Sequence, residues 1–249
     1  MHNLELEKLI NLELRSASFN DYVPNGLQIT GREDITKIVT GVTACQALID
    51  EAVSHHADAI IVHHGYFWKD ELPIIYGMKR KRLKTLLLND INLYSWHLPL
   101  DAHPQLGNNA QLAKLLNIIV QGEIVPLLSW GKFRQPLTSE SLLARIINKL
   151  GRVPLYSGDN NHAPSLISSV AWCTGSGQKF IDDAASFGVD AFITGEVSEQ
   201  TIHSARENRL HFFAAGHHAT ERGGIQALSL WLEQNYALDV IFIDILNPA

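Results

Sequence analysis

Shifted against itself by 132 residues, this chain repeats: Gln46 falls on Gln178, Ile49 on Ile181, Asp50 on Asp182, Ala52 on Ala184 and Ser54 on Ser186. In the same register Asp58, Ala59 and Ile61 fall on Asp190, Ala191 and Ile193. Two amphipathic units share apolar residues by chance. Chance does not readily supply identical polar residues in one ungapped register, so we read an internal duplication.

Each half alternates strands with helices. In the first, an opening helix is suggested by Leu4, Leu9, Ile10, Leu12 and Leu14, and 21–31 reads as a loop around Pro24, Asn25 and Gly26. Strands follow at 35–42, 57–64 and 91–97, with helices at 44–56, 78–90 and 108–117. The second half runs helix 139–151, strand 166–175, helix 176–188, strand 189–196, helix 198–209, strand 210–218, helix 225–236 and strand 238–245. This alternation predicts an α/β protein of two repeats, 1–125 and 126–249, with mostly parallel strands in mixed sheets flanked by helices. At 249 residues the chain is long enough for two intertwined halves.

In open α/β sheets ligands bind at the carboxyl ends of strands, and the polar residues gather there. "IIVHHGYFW" (60–68) ends a buried strand on His63 and His64. "HLPLD" (97–101) and "HHATE" (217–221) each set a carboxylate four residues after a histidine, which pairs His97 with His217 and Asp101 with Glu221. On a helical turn His217 and Glu221 share a face, and Gly223–Gly224 just beyond allow close backbone approach. Pro99 disfavours a helical Leu98, so His97 and Asp101 are expected on a loop. The repeat also sets His64 on Glu196, a residue expected to line a pocket or support a ligand.

Imidazoles and carboxylates without a thiolate suit Zn, Mn, Fe or Ni better than Mg. Successive strand side chains face opposite ways, so His63 and His64 should diverge and serve two neighbouring ions, one each. His63, His64, Asp101, His217 and Glu221 then supply three nitrogens and two carboxylates. That leaves open positions for water and substrate, as catalytic sites require.

Twelve histidines stand out in a composition otherwise ordinary for a globular enzyme. The net charge of −6 argues against broad nucleic-acid binding, and "KRKRLK" (79–84) reads as a solvated helix face. Cys45 and Cys173 lack metal-like spacing and read as free thiols. No signal peptide or membrane span is visible, so a cytoplasmic protein is expected. "GSG" (175–177) has Phe180 where a dinucleotide fingerprint needs its third glycine.

Several motifs, in this order, resemble the GTP cyclohydrolase 1 type 2 family, also called the Ngg-one-interacting factor three-like family. They are "NGLQ" (25–28), "DAIIVHHGYFW" (58–68), "WHLPLDAHPQLGNN" (96–109), "DAFITGE" (190–196) and "AAGHHATERGG" (214–224). The resemblance runs the full length and is to a bacterial member without a large inserted domain. It implies two intertwined α/β repeats with a dinuclear metal site between them. His63, His64, Asp101, His217 and Glu221 match the family's ligands, Glu221 as the bridging carboxylate. It also implies a ring-shaped homohexamer, a trimer of dimers, and hydrolysis of a nucleotide-like ring. His97 resembles a position close to the metals and is the candidate catalytic acid/base or, equally, a hydrogen-bond partner of a ligand. Tyr66, Phe67 and Trp68 could stack on a base or simply pack. The rival reading is a metal-binding structural or adaptor protein without turnover.

Overall fold

The computed structural model describes residues 1–158 and 162–249. These form two compact units, 1–107 with 224–245, and 108–223 with 246–249. The midpoint drawn from the sequence, residue 125, falls at the tip of a β-hairpin inside the second unit.

The first unit holds helices α1 (Asn3–Glu13), α2 (Gln46–Ser54), α3 (Gly77–Leu88) and the short α4 (Leu98–Ala102). Its strands are β1 (Gly26–Ile29), β2 (Lys37–Thr43), β3 (Ala59–His64), β4 (Asn92–Ser95) and the last strand of the chain, β11 (Asp239–Phe242). They make one mixed sheet ordered β1-β4-β3-β2-β11, parallel throughout except for β1 on β4.

The second unit holds α5 (Asn108–Leu116), α6 (Ser139–Leu150), α7 (Ile181–Phe187) and α8 (Glu199–Glu207). Its strands are β5 (Ile118–Val125), β6 (Leu128–Leu137), β7 (Leu155–Ser157), β8 (Ile167–Cys173), β9 (Ala191–Thr194) and β10 (His211–Ala214). The sheet is ordered β5-β6-β8-β9-β10-β7, and only its central β8-β9-β10 pairings are parallel. Helix α9 (His217–Asn235) begins in this unit and ends in the first.

The inner parallel strands are buried on both faces, and their alternation is visible residue by residue. Ala59 and Ile61 of β3 join Leu6, Ile10, Ile225, Leu228 and Leu232 in one core. Ile60 and Val62 join Leu48, Ile49, Leu83 and Leu86 in the other. In the second unit Val170 and Trp172 face Leu142, Ile146 and Leu150, while Ala171 and Cys173 face Ile181 and Ala184.

The 132-residue register reappears in the hydrogen bonding. Ile38 pairs with Ala59 as Val170 pairs with Ala191. Asp58 Oδ2 accepts from the backbone N–H groups of Thr36 and Lys37, and Asp190 Oδ2 from those of Ser168 and Ser169. The repeated aspartates are thus latches that tie each parallel strand to its predecessor.

Several expectations change. Helix α1 forms, but its buried face is Leu6, Ile10 and Leu14, while Leu4 and Leu12 are exposed. The loop read at 21–31 contains β1, and β5, β6 and β7 were not foreseen. These are antiparallel additions outside the parallel core, and β5 buries only one end of its pattern. The stretch 97–101 is not a loop: α4 starts at Leu98, and Pro99 sits in its first turn, where a missing N–H is harmless. Ser95 lies level with Val62 as Ala214 lies level with Thr194. That register sets His97 against Gly216 and Asp101 against Thr220, one residue away from the pairing drawn from the sequence.

Candidate metal centre

In the first unit, β3 delivers His63 and His64 at its carboxyl end. His63 is fully buried; its Nδ1 donates to the Trp96 carbonyl at 2.9 Å, which fixes the tautomer. Its Nε2 then faces Asp101 Oδ1 at 3.4 Å. Asp101 is buried, carried there by α4. His64 Nδ1 lies 3.2 Å from Thr43 Oγ1 on the neighbouring strand.

The two rings do not diverge as expected. Their centroids are 4.5 Å apart, tilted by 44°. His64 is the last residue of β3, where Thr43 draws its ring and no further strand residue enforces the alternation. His97 closes the group at 5.1 Å from His63 and 5.9 Å from His64, centroid to centroid. One nitrogen from each of the three rings lies within 4.8 Å of the other two.

His97 is held from a direction the sequence did not suggest. Its Nδ1 donates to Asp21 Oδ1 at 3.0 Å, and its backbone N–H to Asn25 Oδ1 at 2.8 Å. Asp21 also accepts from the backbone of Leu98 and Tyr22 and from Asn25 Nδ2. Burial pushes the Asp21 carboxyl up, but the bonds from His97, Asn25 and Leu98 outweigh it and hold the group at about 2. His97 itself sits at φ −98°, ψ −103°, outside the regular helix and strand regions.

In the second unit, β10 ends at Ala214 and α9 begins at His217. His217 Nδ1 pairs with Glu196 Oε1 at 2.6 Å, and Nε2 with Glu221 Oε2 at 3.0 Å, one helical turn on. Glu221 is buried, and Glu196 also accepts from Gln178 Nε2. Burial opposes a charge on His217, yet the two carboxylates raise it to about 9. Gly175, at φ +62°, makes room for this group: a Cβ there would meet Glu221 Oε1 and come within 3.2 Å of His217 Nε2. The "GSG" stretch is therefore a space-maker for a carboxylate.

The other sequence candidates fall into place around these groups. Tyr66 is a packed wall residue whose hydroxyl donates to the Ala44 carbonyl. Trp68 stands 5.9 Å from His64, centroid to centroid. Gly223 and Gly224 lie inside α9, where Gly223 admits Gln111 of α5. Arg80, Lys81 and Lys84 are exposed on α3, as expected of a solvated face. Asp21, Asn25 and Gly175 were missed as functional residues. Asn25 lay inside the quoted "NGLQ", but nothing local signals that Asp21 meets a histidine 76 positions away.

Both groups share one design: an imidazole tied through Nδ1 to a protein oxygen, with Nε2 turned to a carboxylate. That is how metal-binding histidines are oriented, and the donor set fits a borderline divalent ion. Fold and side chains together define an α/β protein with buried histidine–carboxylate clusters of metal-site character. Residues 1–248 match the Duf34/NIF3 (NGG1p interacting factor 3) family, and the chain belongs to it. It is 69% identical to the GTP cyclohydrolase 1 type 2 homolog of Salmonella typhimurium and 68% identical to that of Escherichia coli K12, over the full length of both chains in each case. Among solved structures it is similar to the protein ybgI, described as of unknown function, with a TM-score of 0.98 at 68% identity. It is also similar to TTHA1606 from Thermus thermophilus, with a TM-score of 0.91 at 31% identity; both cover 100% of each chain. No helix among the described residues is long and apolar enough to cross a membrane.

Proposed function

We propose that this protein is a metal-dependent hydrolase acting on a nucleotide or related heterocycle. It would bind two divalent ions per subunit through His63, His64, Asp101, His217 and Glu221. The observation that carries the reading is the orientation of His63 and His217, each tethered through Nδ1 and each facing a carboxylate. Divalent ions in such a site supply a Lewis acid and an acidified water.

The rest falls to the chain's own residues. Hydrolysis of a ring C–N bond, such as one at C8 of a purine, needs a proton on the leaving nitrogen. His97 is suited to give it: Asp21 holds Nδ1–H, so Nε2 is the nitrogen that carries or releases a proton. Asp21 positions His97 and does not itself meet substrate. Glu196 likewise sets the His217 ring. The curated relatives' description as GTP cyclohydrolase homologs supports a purine nucleotide as the first substrate class to try. Cys45 and Cys173, thiols that form no disulfide with each other, support a reducing, cytoplasmic setting. The exposed run Leu72, Ile74, Ile75, Tyr76 and Met78 supports a homo-oligomer, which we take to be the hexameric ring.

The test is turnover of a nucleotide panel by purified, metal-loaded protein. Ring opening that disappears in His63→Ala and Glu221→Ala is expected. Absence of turnover, with metal bound and the fold intact, would leave a structural or adaptor role instead.

A further inference from the structure

Two arginines with no part in the reaction above fasten the end of α6 within the second unit. Arg222 of α9 donates through Nη2 to the Leu150 carbonyl at 2.8 Å. Arg152, just past the end of α6, reaches the segment 246–249. Its Nη1 donates to the carbonyls of Pro248 at 2.8 Å and Ala249 at 3.0 Å. The Ala249 carbonyl also accepts from the His218 backbone N–H at 3.3 Å. Gly216, at φ +99°, lets the guanidinium in: a Cβ there would lie 2.7 Å from Arg152 Cζ. Gly216 and His218 are the two chain neighbours of His217.

We propose that Arg152 is a positioning residue for His217, and that 246–249 is the strap through which it acts. That the imidazole so placed holds a metal rests on the hydrolase reading; the placing itself does not. The first four N–H groups of a helix have no partner within it, and helix ends fray. His217 opens the first turn of α9, and Glu221 follows one turn on. In that turn the His218 N–H goes to Ala249, and the Thr220 N–H to the Gly216 carbonyl. Both anchors meet at Arg152, which packs against Gly216 and holds the carbonyl that His218 uses.

A cation gains nothing from the N-terminal end of a helix, where the dipole is positive. The two carbonyls and the glycine account for the guanidinium being there. A fixed first turn aims the His217 ring, and its 2.6 Å pairing with Glu196 and 3.0 Å pairing with Glu221 depend on that aim.

The test has two readouts. One is cobalt(II) titration of the apo-protein, followed by the visible absorption of the bound ion. The other is proton NMR of the metal-free protein, in which the His217 Nδ1–H bonded to Glu196 should give a downfield signal, identified by its loss in His217→Ala. In Arg152→Ala we expect cobalt affinity to fall about 10–100-fold with a changed absorption spectrum, and the His217 signal to move or broaden. Arg152→Lys keeps the charge but not the flat guanidinium, and should recover part of the affinity. Should Arg152→Ala fail to fold, Arg152→Lys carries the comparison, with a smaller loss in the same sense. Arg145→Ala removes another arginine of α6, one that holds the Leu116 carbonyl and lies over Phe133, and should leave cobalt binding unchanged. Wild-type affinity, spectrum and signal in the Arg152 variants overturn the proposal. So does an equal loss of cobalt in Arg145→Ala, which would make the effect one of general stability. A wild type that takes up no cobalt, with the His217 signal still moved by Arg152→Ala, would remove the metal and keep the positioning.

Discussion

At the scale of single residues, the groups that position the imidazoles matter as much as the imidazoles. Asp21 holds His97 through one oxygen and the start of α4 through the other. Asp21→Asn should keep the fold but lose control of the imidazole; kcat is expected to fall about 10–100-fold with metal content unchanged. Glu196→Gln should instead lower metal affinity about 10–100-fold, read by titrating the apo-protein with Zn. Gly175→Ala places a Cβ against Glu221 at a left-handed φ, so it should disturb metal binding as well as stability. The candidate histidines were legible because two adjacent imidazoles at a strand end are unusual in composition and place. Asp21 and Gly175 were not, because their meaning lies in partners distant in sequence. The expected divergence of His63 and His64 failed for a related reason: pleat alternation describes strand interiors, and His64 is a strand end.

Among the elements, the latches Asp58 and Asp190 are the next to test. Each carboxylate satisfies backbone N–H groups of the preceding strand. Replacing either with Ala leaves those N–H groups without their carboxylate acceptor, and a loss of about 1–3 kcal/mol is expected in urea unfolding. Burial raises the Asp58 pKa, but the bonds from Lys37 and Thr36, with Arg32 nearby, lower it below the usual carboxylate value of 3.8. A group depressed on folding stabilises the native state fully above its unfolded pKa. That contribution is lost as pH falls through the folded value. Acid unfolding below about pH 4 should therefore be shallower in Asp58→Asn than in the wild type. The parallel strands β2, β3, β4, β8, β9 and β10 were legible as apolar runs. The antiparallel β1, β5, β6 and β7 were not, because short or partly exposed strands carry little hydrophobic pattern.

At the scale of the whole molecule, the expectation is a metalloprotein that assembles. Ions that bind only the native state add stability, so EDTA should lower Tm, and Zn or Mn should restore it. Under the proposed ring assembly, Ile75→Asp combined with Tyr76→Asp should lower the particle mass in sedimentation without unfolding the chain. The 132-residue register was visible in the sequence and persists as matched strand pairings in the two units. The division into 1–107 with 224–245 and 108–223 with 246–249 was not, because only long-range packing reveals that the end of α9 and β11 belong to the first unit.

The most direct test of the central claim is to count the ions. Apo-protein titrated with Zn, Mn, Fe and Ni, followed by elemental analysis after desalting, should retain two divalent ions per chain. His63→Ala and Glu221→Ala should each lower that number. Retention of no ion by the wild type, or of two ions by both variants, would contradict the account.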